Sequence, residues 1–226
     1  HHPGIRRIED VKLLRTHQFA EDAGPLAHPV RPDDVGAVEN LYTTTIYEKG
    51  AEIVRLYQTI FGKEGFNRGL AHYIEHFDGM AVTTDDFKAS MEAANNRTLF
   101  NFERWYSQAG TPILNVNTEH RSDNTYRLAL RQFLTESPGQ LHKEPQVIPV
   151  NYALFSQSGE LLLEESFTLT EPAQCLLFHN IPEKPVISLL RNFSAPVILQ
   201  YPYTLDELKL LIAHETDDFA KWEALQ

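Results

Sequence analysis

Hydrophobic and polar positions follow a helical period through the first half of the chain. Apolar residues three and four positions apart predict helices from residue 8 to about residue 108. Pro25, Pro29 and Pro32 interrupt this series with a loop, because proline cannot continue a helix. The apolar positions that support the prediction are Ile8, Val11, Leu14, Phe19, Val35, Val38, Leu41, Ile53, Leu56, Tyr57, Ile60, Phe66, Leu70, Tyr73, Ile74, Phe77, Phe87, Met91, Ala94, Leu99, Phe102, Trp105 and Tyr106.

Several boundaries within this helical half are visible in the sequence. Three consecutive threonines, residues 43–45, are poor helix formers because β-branched side chains lose rotamer freedom in a helix. A new helix is predicted after Gly62, and Thr83 or Thr84 is predicted to cap another. The last helix of the series is predicted to stop at Gly110.

The period changes from 3.6 residues to 2 at Thr111-Pro112. Alternating apolar residues predict strands that begin near Ile113 and Tyr126, and Ser158-Gly159 predicts a hairpin turn between two later strands. The later predicted strands cover residues 146–156, 161–168, 174–180, 186–191 and 196–201. Strands of this length and spacing are typical of an antiparallel β-sandwich of about 90 residues.

The helical period returns at Thr204. The predicted fold class is therefore an α+β multidomain chain. We predict a helical part over residues 1–110, an antiparallel β-sandwich over residues 111–203 and the first helices of another helical part over residues 204–226.

Length and composition exclude several classes of protein. The chain has 226 residues, 42% hydrophobic and 23% charged, so it can form more than one core and is not composed like a disordered protein. Its formal net charge of −11 argues against nucleic-acid binding, which needs clustered Lys and Arg. No apolar run approaches the roughly 20 residues of a membrane helix. The charge and the lack of a long apolar run lead us to expect neither nucleic-acid nor membrane partners. The single cysteine, Cys175, suits a reducing compartment, so we expect a cytoplasmic protein.

Both ends of the chain have the features of cut ends. The chain begins His1-His2-Pro3, without an initiator methionine or a signal peptide. It stops inside an amphipathic pattern that includes Leu211, Phe219 and Trp222. We therefore expect it to be a segment of a longer protein.

The histidines offer one pattern with the spacing of metal ligands. His72-Tyr-Ile-Glu-His76 has the form of the inverted zinc-protease motif, in which two histidines share one helix face and a glutamate acts as a base. Such a site needs a third protein ligand, and we favour a solvated helix face for His72 and Glu75. His28, in the proline-rich loop, is expected to bond backbone groups and fix the loop.

Tyr47 lies between two amphipathic patterns, where two packed helices could aim its side chain. A core tyrosine at a helix junction is the alternative interpretation of the same position. Its neighbours Glu48 and Lys49 are expected to form local ion pairs or caps. The hydrophobic pattern alone leaves both interpretations of Tyr47 open.

The run Leu41-Tyr-Thr-Thr-Thr-Ile-Tyr-Glu-Lys-Gly-Ala-Glu52 closely resembles the Tyr-x-Lys-Gly segment of the aminopeptidase N family of zinc peptidases. The resemblance covers nearly the whole chain, and its motifs come in the order expected of bacterial members. The further matching motifs are Gln18-Phe-Ala-Glu-Asp-Ala23, Ala27-His-Pro-Val-Arg-Pro32, His76-Phe-Asp-Gly79, Arg104-Trp-Tyr-Ser-Gln-Ala-Gly-Thr-Pro112 and Asp218-Phe-Ala-Lys-Trp222.

This resemblance implies the helical C-terminal part of a thermolysin-like catalytic domain, then a β-sandwich, then the start of an all-helical domain. It implies that Tyr47 donates a hydrogen bond to the oxyanion of the tetrahedral intermediate. Tyr42 is expected to line the pocket for the N-terminal side chain of the substrate, with simple packing as the alternative. Bacterial members commonly have Asn-Asn where this chain has Glu39-Asn40, which leaves a substrate contact by residue 39 in doubt.

The zinc motif of the family, His-Glu-x-x-His, lies upstream of the matched region and does not occur in this chain. We therefore expect the full protein to be a zinc aminopeptidase, with peptides as substrates and the missing domains as partners. The segment itself is expected to hold no metal and to be inactive. Two alternatives stay open: a non-enzymatic interaction module, and an inverted-motif metallopeptidase that uses His72 and His76. Exposed apolar patches on the helical half would favour the truncated enzyme over the module.

Overall fold

The computed structural model describes residues 3–33, 36 and 38–226, with the backbone alone for residues 38 and 39. Val35 and the side chain of Glu39, both considered above, lie outside the described part. The α-helices are α1 (Pro3–Leu13), α2 (Phe19–Asp22), α3 (Gly50–Phe77), α4 (Thr84–Asn95), α5 (Arg104–Ser107), α6 (Leu205–His214) and α7 (Asp218–Glu223). A first π-helix (Leu14–Gln18) and a second π-helix (Thr45–Lys49) lead into α2 and α3.

The predicted breaks in the helical half are confirmed at two places. Gly62, inside α3, has φ 73° and ψ 169°, a conformation open essentially to glycine alone, and it divides the long helix in two. Thr83 caps α4, since its hydroxyl accepts from the backbone N–H of Asp86 while the Asp86 carboxylate accepts from the backbone N–H of Thr83.

The last predicted helix of this half is wrong in length. Only residues 104–107 are α-helical, and Leu99 and Phe102 reach the core from the irregular segment before them. The reason is Asn101, which has φ +64° and therefore cannot sit inside a right-handed helix. The upstream pattern that ends at Leu41 forms a short 3₁₀-helix, Val38–Leu41, rather than an α-helix.

Seven strands follow, and they form two packed sheets. They are β1 (Ile113–His120), β2 (Tyr126–Phe133), β3 (Ile148–Phe155), β4 (Leu161–Leu169), β5 (Ala173–Phe178), β6 (Val186–Leu189) and β7 (Ile198–Gln200). One sheet has the order β5-β2-β1-β7 and the other the order β4-β3-β6. The predicted sandwich is confirmed, and so is the hairpin at Ser158-Gly159, where Gly159 has φ +87° between β3 and β4.

One pairing departs from the predicted antiparallel arrangement. β7 runs parallel to β1, with Ile113 opposite Ile198 and Asn115 opposite Gln200. A parallel pair requires a crossover connection, because a tight turn can join only antiparallel strands. Here the chain crosses through the second sheet and returns to the edge of the first, a route that alternation within a single strand does not reveal.

The helical half and the sandwich share one hydrophobic core. Ile53 and Tyr57 of α3 and Trp105 of α5 belong to the same cluster of buried residues as Leu114 and Ile148 of the two sheets. The Trp105 Nε1–H also donates a 2.8 Å hydrogen bond to the carbonyl of Val147. This shared packing fixes α3, and with it the second π-helix, against the sandwich.

The chain returns to helix at Thr204, as predicted. The Thr204 hydroxyl accepts from the backbone N–H of Glu207, and the Glu207 carboxylate accepts from the backbone N–H of Thr204. Phe219 of α7 then packs on Val11 and Leu14, near the start of the chain. Within residues 3–33, 36 and 38–226, none of the helices combines the length and the apolar character needed to cross a membrane.

Candidate functional site

The second π-helix carries the predicted catalytic tyrosine. Tyr47 is its central residue, and α3 continues directly from it at Gly50. A π-helical turn accommodates one extra residue within a helix, and such turns are frequent at functional sites. The run of threonines that argued against a regular α-helix lies at this irregular turn.

Tyr47 and Tyr42, the two predicted site residues, lie side by side on the surface. Their ring centroids are 6.3 Å apart and the ring planes differ by 21°. Tyr47 is 58% exposed and Tyr42 is 69% exposed, so neither is a core residue. The alternative of a buried tyrosine at a helix junction is therefore wrong. Within the described part of the chain, the Tyr47 hydroxyl has no hydrogen-bond partner and is open to an external acceptor.

The start of the second π-helix is held by side chains from the preceding helical segment. The backbone N–H of Thr45 donates a 2.8 Å hydrogen bond to Glu21 Oε1, and Gln18 Nε2 donates to Thr45 Oγ1 at 3.3 Å. Thr45 is fully buried. The first π-helix, which Gln18 ends, thus packs against the second. Glu21 of α2 accepts from a backbone N–H that a helix start leaves without an intrahelical partner.

The end of the second π-helix is held by a buried ion pair. Lys49 is only 2% exposed, and its Nζ lies 2.9 Å from Asp22 Oδ2 and 2.9 Å from the carbonyl oxygen of Gly110. The predicted local ion pair of Lys49 is therefore wrong, because its partners are 27 and 61 residues away in the sequence. Burial by itself raises the pKa of Asp22, but the Lys49 charge and the hydrogen bonds it receives outweigh burial and lower the pKa below its ordinary value.

Asp22 joins this ion pair to the start of the sandwich. Its Oδ1 accepts from the backbone N–H of Gly110 at 2.9 Å, and its Oδ2 accepts from the Thr111 hydroxyl at 3.0 Å. Gly110 has φ +93°, a conformation that favours glycine. Hydrophobic periodicity does not point to this cluster, although Asp22, Lys49 and Gly110-Thr111 each lie in one of the matching motifs.

His72 and His76 do not form a metal site with the described residues. Their rings stack with centroids 4.0 Å apart, and His76 Nδ1 lies 2.8 Å from the backbone carbonyl of His72. Glu75 is exposed, as predicted for a solvated face, whereas His72, predicted to lie on the same face, is half-buried. Across residues 3–33, 36 and 38–226, no group of three or more His, Cys, Asp and Glu side chains is arranged to hold a metal ion. The described residues therefore do not fit a zinc ion.

His28 has the structural role predicted for it. Its Nδ1 lies 2.8 Å from the carbonyl oxygen of Pro29, so the ring bonds the backbone of its own loop. Its Nε2 lies 3.8 Å from Glu21 Oε1, the same carboxylate oxygen that accepts from Thr45. The proline-rich loop and the start of the second π-helix thus meet at Glu21.

Two family descriptions match the chain. Residues 6–106 match the peptidase family M1 domain. Residues 110–202 match a domain of unknown function with an Ig-like fold, named DUF3458. The two matched regions flank the short connection that contains Ala109, beside the Gly110 and Thr111 groups that bind Asp22.

The chain is also similar to individual proteins over nearly its whole length. Aminopeptidase N of Escherichia coli is 40% identical over 98% of this chain and 27% of that protein, and aminopeptidase N of Haemophilus influenzae is 42% identical over the same shares. The crystal structure of Legionella pneumophila aminopeptidase A in complex with aspartic acid matches 96% of this chain and 26% of that chain, with a TM-score of 0.79 and 30% identity. The predicted resemblance is confirmed, and the chain spans about a quarter of the length of these relatives.

Proposed function

We propose that the complete protein is a zinc aminopeptidase that removes N-terminal residues from peptides, because residues 6–106 match the peptidase family M1 domain and the chain is 40% identical to aminopeptidase N of Escherichia coli. This segment contributes Tyr47 as a hydrogen-bond donor to the oxyanion of the tetrahedral intermediate. The observation that carries the assignment is an exposed phenol on a π-helix whose two ends are held by buried contacts. The segment alone lacks the rest of the catalytic machinery and is inactive.

A phenol suits this role for a physical reason. The negative charge on the carbonyl oxygen is present in the tetrahedral species and absent from the substrate, so a donor aimed at that position stabilises the transition state more than the ground state. A donor of this kind must already point at the oxyanion position before the reaction, because moving it into place would cost part of the free energy by which it stabilises the transition state. The buried contacts of Thr45 and Lys49 supply such placement for a residue that is itself exposed.

Tyr42 is proposed to line the pocket for the N-terminal side chain of the substrate. Its ring stacks against that of Tyr47, 6.3 Å away between centroids, and most of its surface is exposed. An exposed aromatic ring beside the proposed oxyanion donor offers apolar contact area to a substrate side chain. Packing within the chain accounts poorly for a ring that is 69% exposed.

The zinc ion of the complete enzyme is proposed to be held by residues outside this segment. The proposed domain boundaries are those predicted above, with the sandwich over residues 111–203.

An open apolar groove lies between α3 and α4 and is lined by Val54, Leu70 and Val82. Such an exposed apolar surface supports the proposal that this segment packs against other domains of its own polypeptide. The single cysteine supports a cytoplasmic location.

The test is Tyr47→Phe in the full-length protein that carries this segment. Loss of one oxyanion donor is expected to lower kcat about 10²–10³-fold with little change in KM. Tyr42→Ala serves as the matched control, because it should raise KM for substrates with large N-terminal side chains and leave kcat nearly unchanged. Unchanged turnover of the Tyr47→Phe enzyme would contradict the proposal.

A further inference from the structure

A buried polar cluster connects three parts of the chain that are far apart in sequence. Asp22 ends α2, Lys49 ends the second π-helix, and Gly110 with Thr111 leads into β1. Four contacts of 2.9–3.0 Å join them: Lys49 to Asp22, Lys49 to the Gly110 carbonyl, and the Gly110 N–H and the Thr111 hydroxyl to Asp22. The side chain of Asp22 is fully buried and that of Lys49 is 2% exposed.

Stability alone is a poor explanation for this arrangement. A buried ion pair loses the hydration of both charges, so apolar side chains of similar size often stabilise a fold equally well. What an ion pair with directed hydrogen bonds supplies in addition is a defined position for the backbone that carries it. Lys49 follows Tyr47 by two residues within one π-helical turn, so a shift of its backbone moves the phenol as well.

The carbonyl of Gly110 makes the cluster a link between domains. Lys49 binds the last residue before the sandwich, and a second lysine, Lys143, binds the carbonyl of the neighbouring Ala109 at 2.8 Å. Lys143 Nζ also donates to Gln140 Oε1 at 2.6 Å, and the same oxygen accepts from the backbone N–H of Ala109. The connection is therefore held from the helical side by Lys49 and from the sandwich side by Lys143.

We propose that Asp22 and Lys49 are positioning residues for Tyr47, which hold the second π-helix to the start of the sandwich and so fix the phenol at the oxyanion site. The proposal rests on the function proposed above for Tyr47. Neither residue contacts the substrate; both act through the backbone of the π-helix. The contacts that join the sandwich to the helical half therefore also help to position the oxyanion donor.

A double-mutant cycle in the full-length enzyme tests this proposal. Lys49→Met removes the charge and keeps an unbranched side chain of similar volume. We expect it to lower kcat about 10- to 100-fold, because small misplacements of catalytic groups have effects of this size. KM should stay within about twofold. In a Tyr47→Phe background the same change should have almost no further effect on kcat, because the phenol that Lys49 positions is already absent.

The possible outcomes separate the two proposals. If Tyr47→Phe lowers kcat and Lys49→Met multiplies that loss, the function of Tyr47 stands and the positioning role is wrong. If Tyr47→Phe leaves kcat unchanged, both proposals are wrong. Full kcat of the Lys49→Met enzyme in the presence of an active Tyr47 would also overturn the positioning role.

Arg191→Met is the matched control for loss of a buried charge. Arg191 Nη2 lies 2.8 Å from the buried Glu215 Oε1. Arg191 is 7% exposed, it also pairs with the exposed Glu164, and neither pairing involves the second π-helix. Its loss should lower the melting temperature and leave kcat unchanged. A kcat loss as large as that of Lys49→Met would mean that any buried ion pair has this effect, and it would overturn the proposal.

Thr111→Val provides a milder variant if Lys49→Met fails to fold. It removes only the hydroxyl that donates to Asp22 Oδ2. We expect a smaller loss of kcat in the same direction, again absent in the Tyr47→Phe background. Unchanged kcat in this variant, or a loss that persists in that background, would contradict the positioning role.

Discussion

The two ends of α3 present two candidate sites with opposite surroundings. At its start, Tyr47 is exposed, but Thr45 and Lys49 on either side are buried and bonded to residues distant in sequence. At its far end, His72 and His76 have the spacing of metal ligands. Among the described residues their rings stack on each other, and His76 Nδ1 lies beside the backbone carbonyl of His72 on the same helix. Gly62 separates the two ends with a break in the helix.

The comparison shows that ligand spacing and site construction are different properties. The histidine pair has the right spacing, yet within the described residues no third ligand meets it. No spacing of chemical groups marks the tyrosine, yet the π-helix that carries it is held from two separate parts of the chain, residues 18–22 and Gly110. A catalytic group needs such supports because rate depends on position to well within 1 Å.

The largest difference between the two ends is expected in stability. Lys49→Met leaves the buried Asp22 carboxylate without its counter-charge, so we expect the free energy of unfolding of the chain to fall by about 3–5 kcal/mol. The measurement is chemical denaturation. The double variant Asp22→Asn/Lys49→Met should recover part of the loss, because no unpaired charge remains. A loss below about 1 kcal/mol for Lys49→Met would mean that the pair is solvated, as a surface salt bridge is.

A smaller effect is expected from pH. The pKa of Asp22 in the folded chain is lowered from an ordinary value of 3.8, so its ionised form contributes stability above that value, and the contribution is lost as the pH falls through the folded pKa. The difference in unfolding free energy between the wild type and Asp22→Asn should therefore be constant near neutral pH and shrink below about pH 4. A difference that grows toward acid pH would have the wrong sign for this account.

The smallest effect is expected at the far end of α3. His72→Ala and His76→Ala should each change the unfolding free energy by no more than about 0.5 kcal/mol, because they remove exposed or half-exposed side chains. After dialysis of the chain against a weak chelator, the zinc content should be near zero for the wild type and both variants. About one zinc per chain, lost in His76→Ala, would show that the inverted motif binds metal.

Much of the fold could be predicted, because its signals are local. The change of period at Thr111-Pro112 marks the start of β1, and Gly62 and Thr83 mark a helix break and a helix cap. Each signal acts through a backbone preference or a hydrogen bond within a few residues. Hydrophobic periodicity left open whether Tyr47 is a core residue or a site residue. The resemblance to the aminopeptidase N family supplied the role that we propose for it.

What could not be predicted depends on contacts between distant segments. The parallel pairing of β7 with β1 follows from the path of the whole sandwich, and the left-handed Asn101 shortens α5 against its own apolar pattern. The pairing of Lys49 with Asp22 and Gly110 brings together residues that share no periodicity. A lysine next to a glutamate in a polar stretch gives no sign that it is buried.

The most direct test of the central claim compares two inhibitors of the full-length enzyme and its Tyr47→Phe variant. One is a tetrahedral analogue of the transition state of peptide hydrolysis, and the other is a free amino acid that mimics the product. If Tyr47 serves the oxyanion, the variant should bind the tetrahedral analogue about 10²–10³-fold more weakly and the amino acid equally well. Equal losses for both inhibitors, or no loss for either, would contradict the assignment of the oxyanion role to Tyr47.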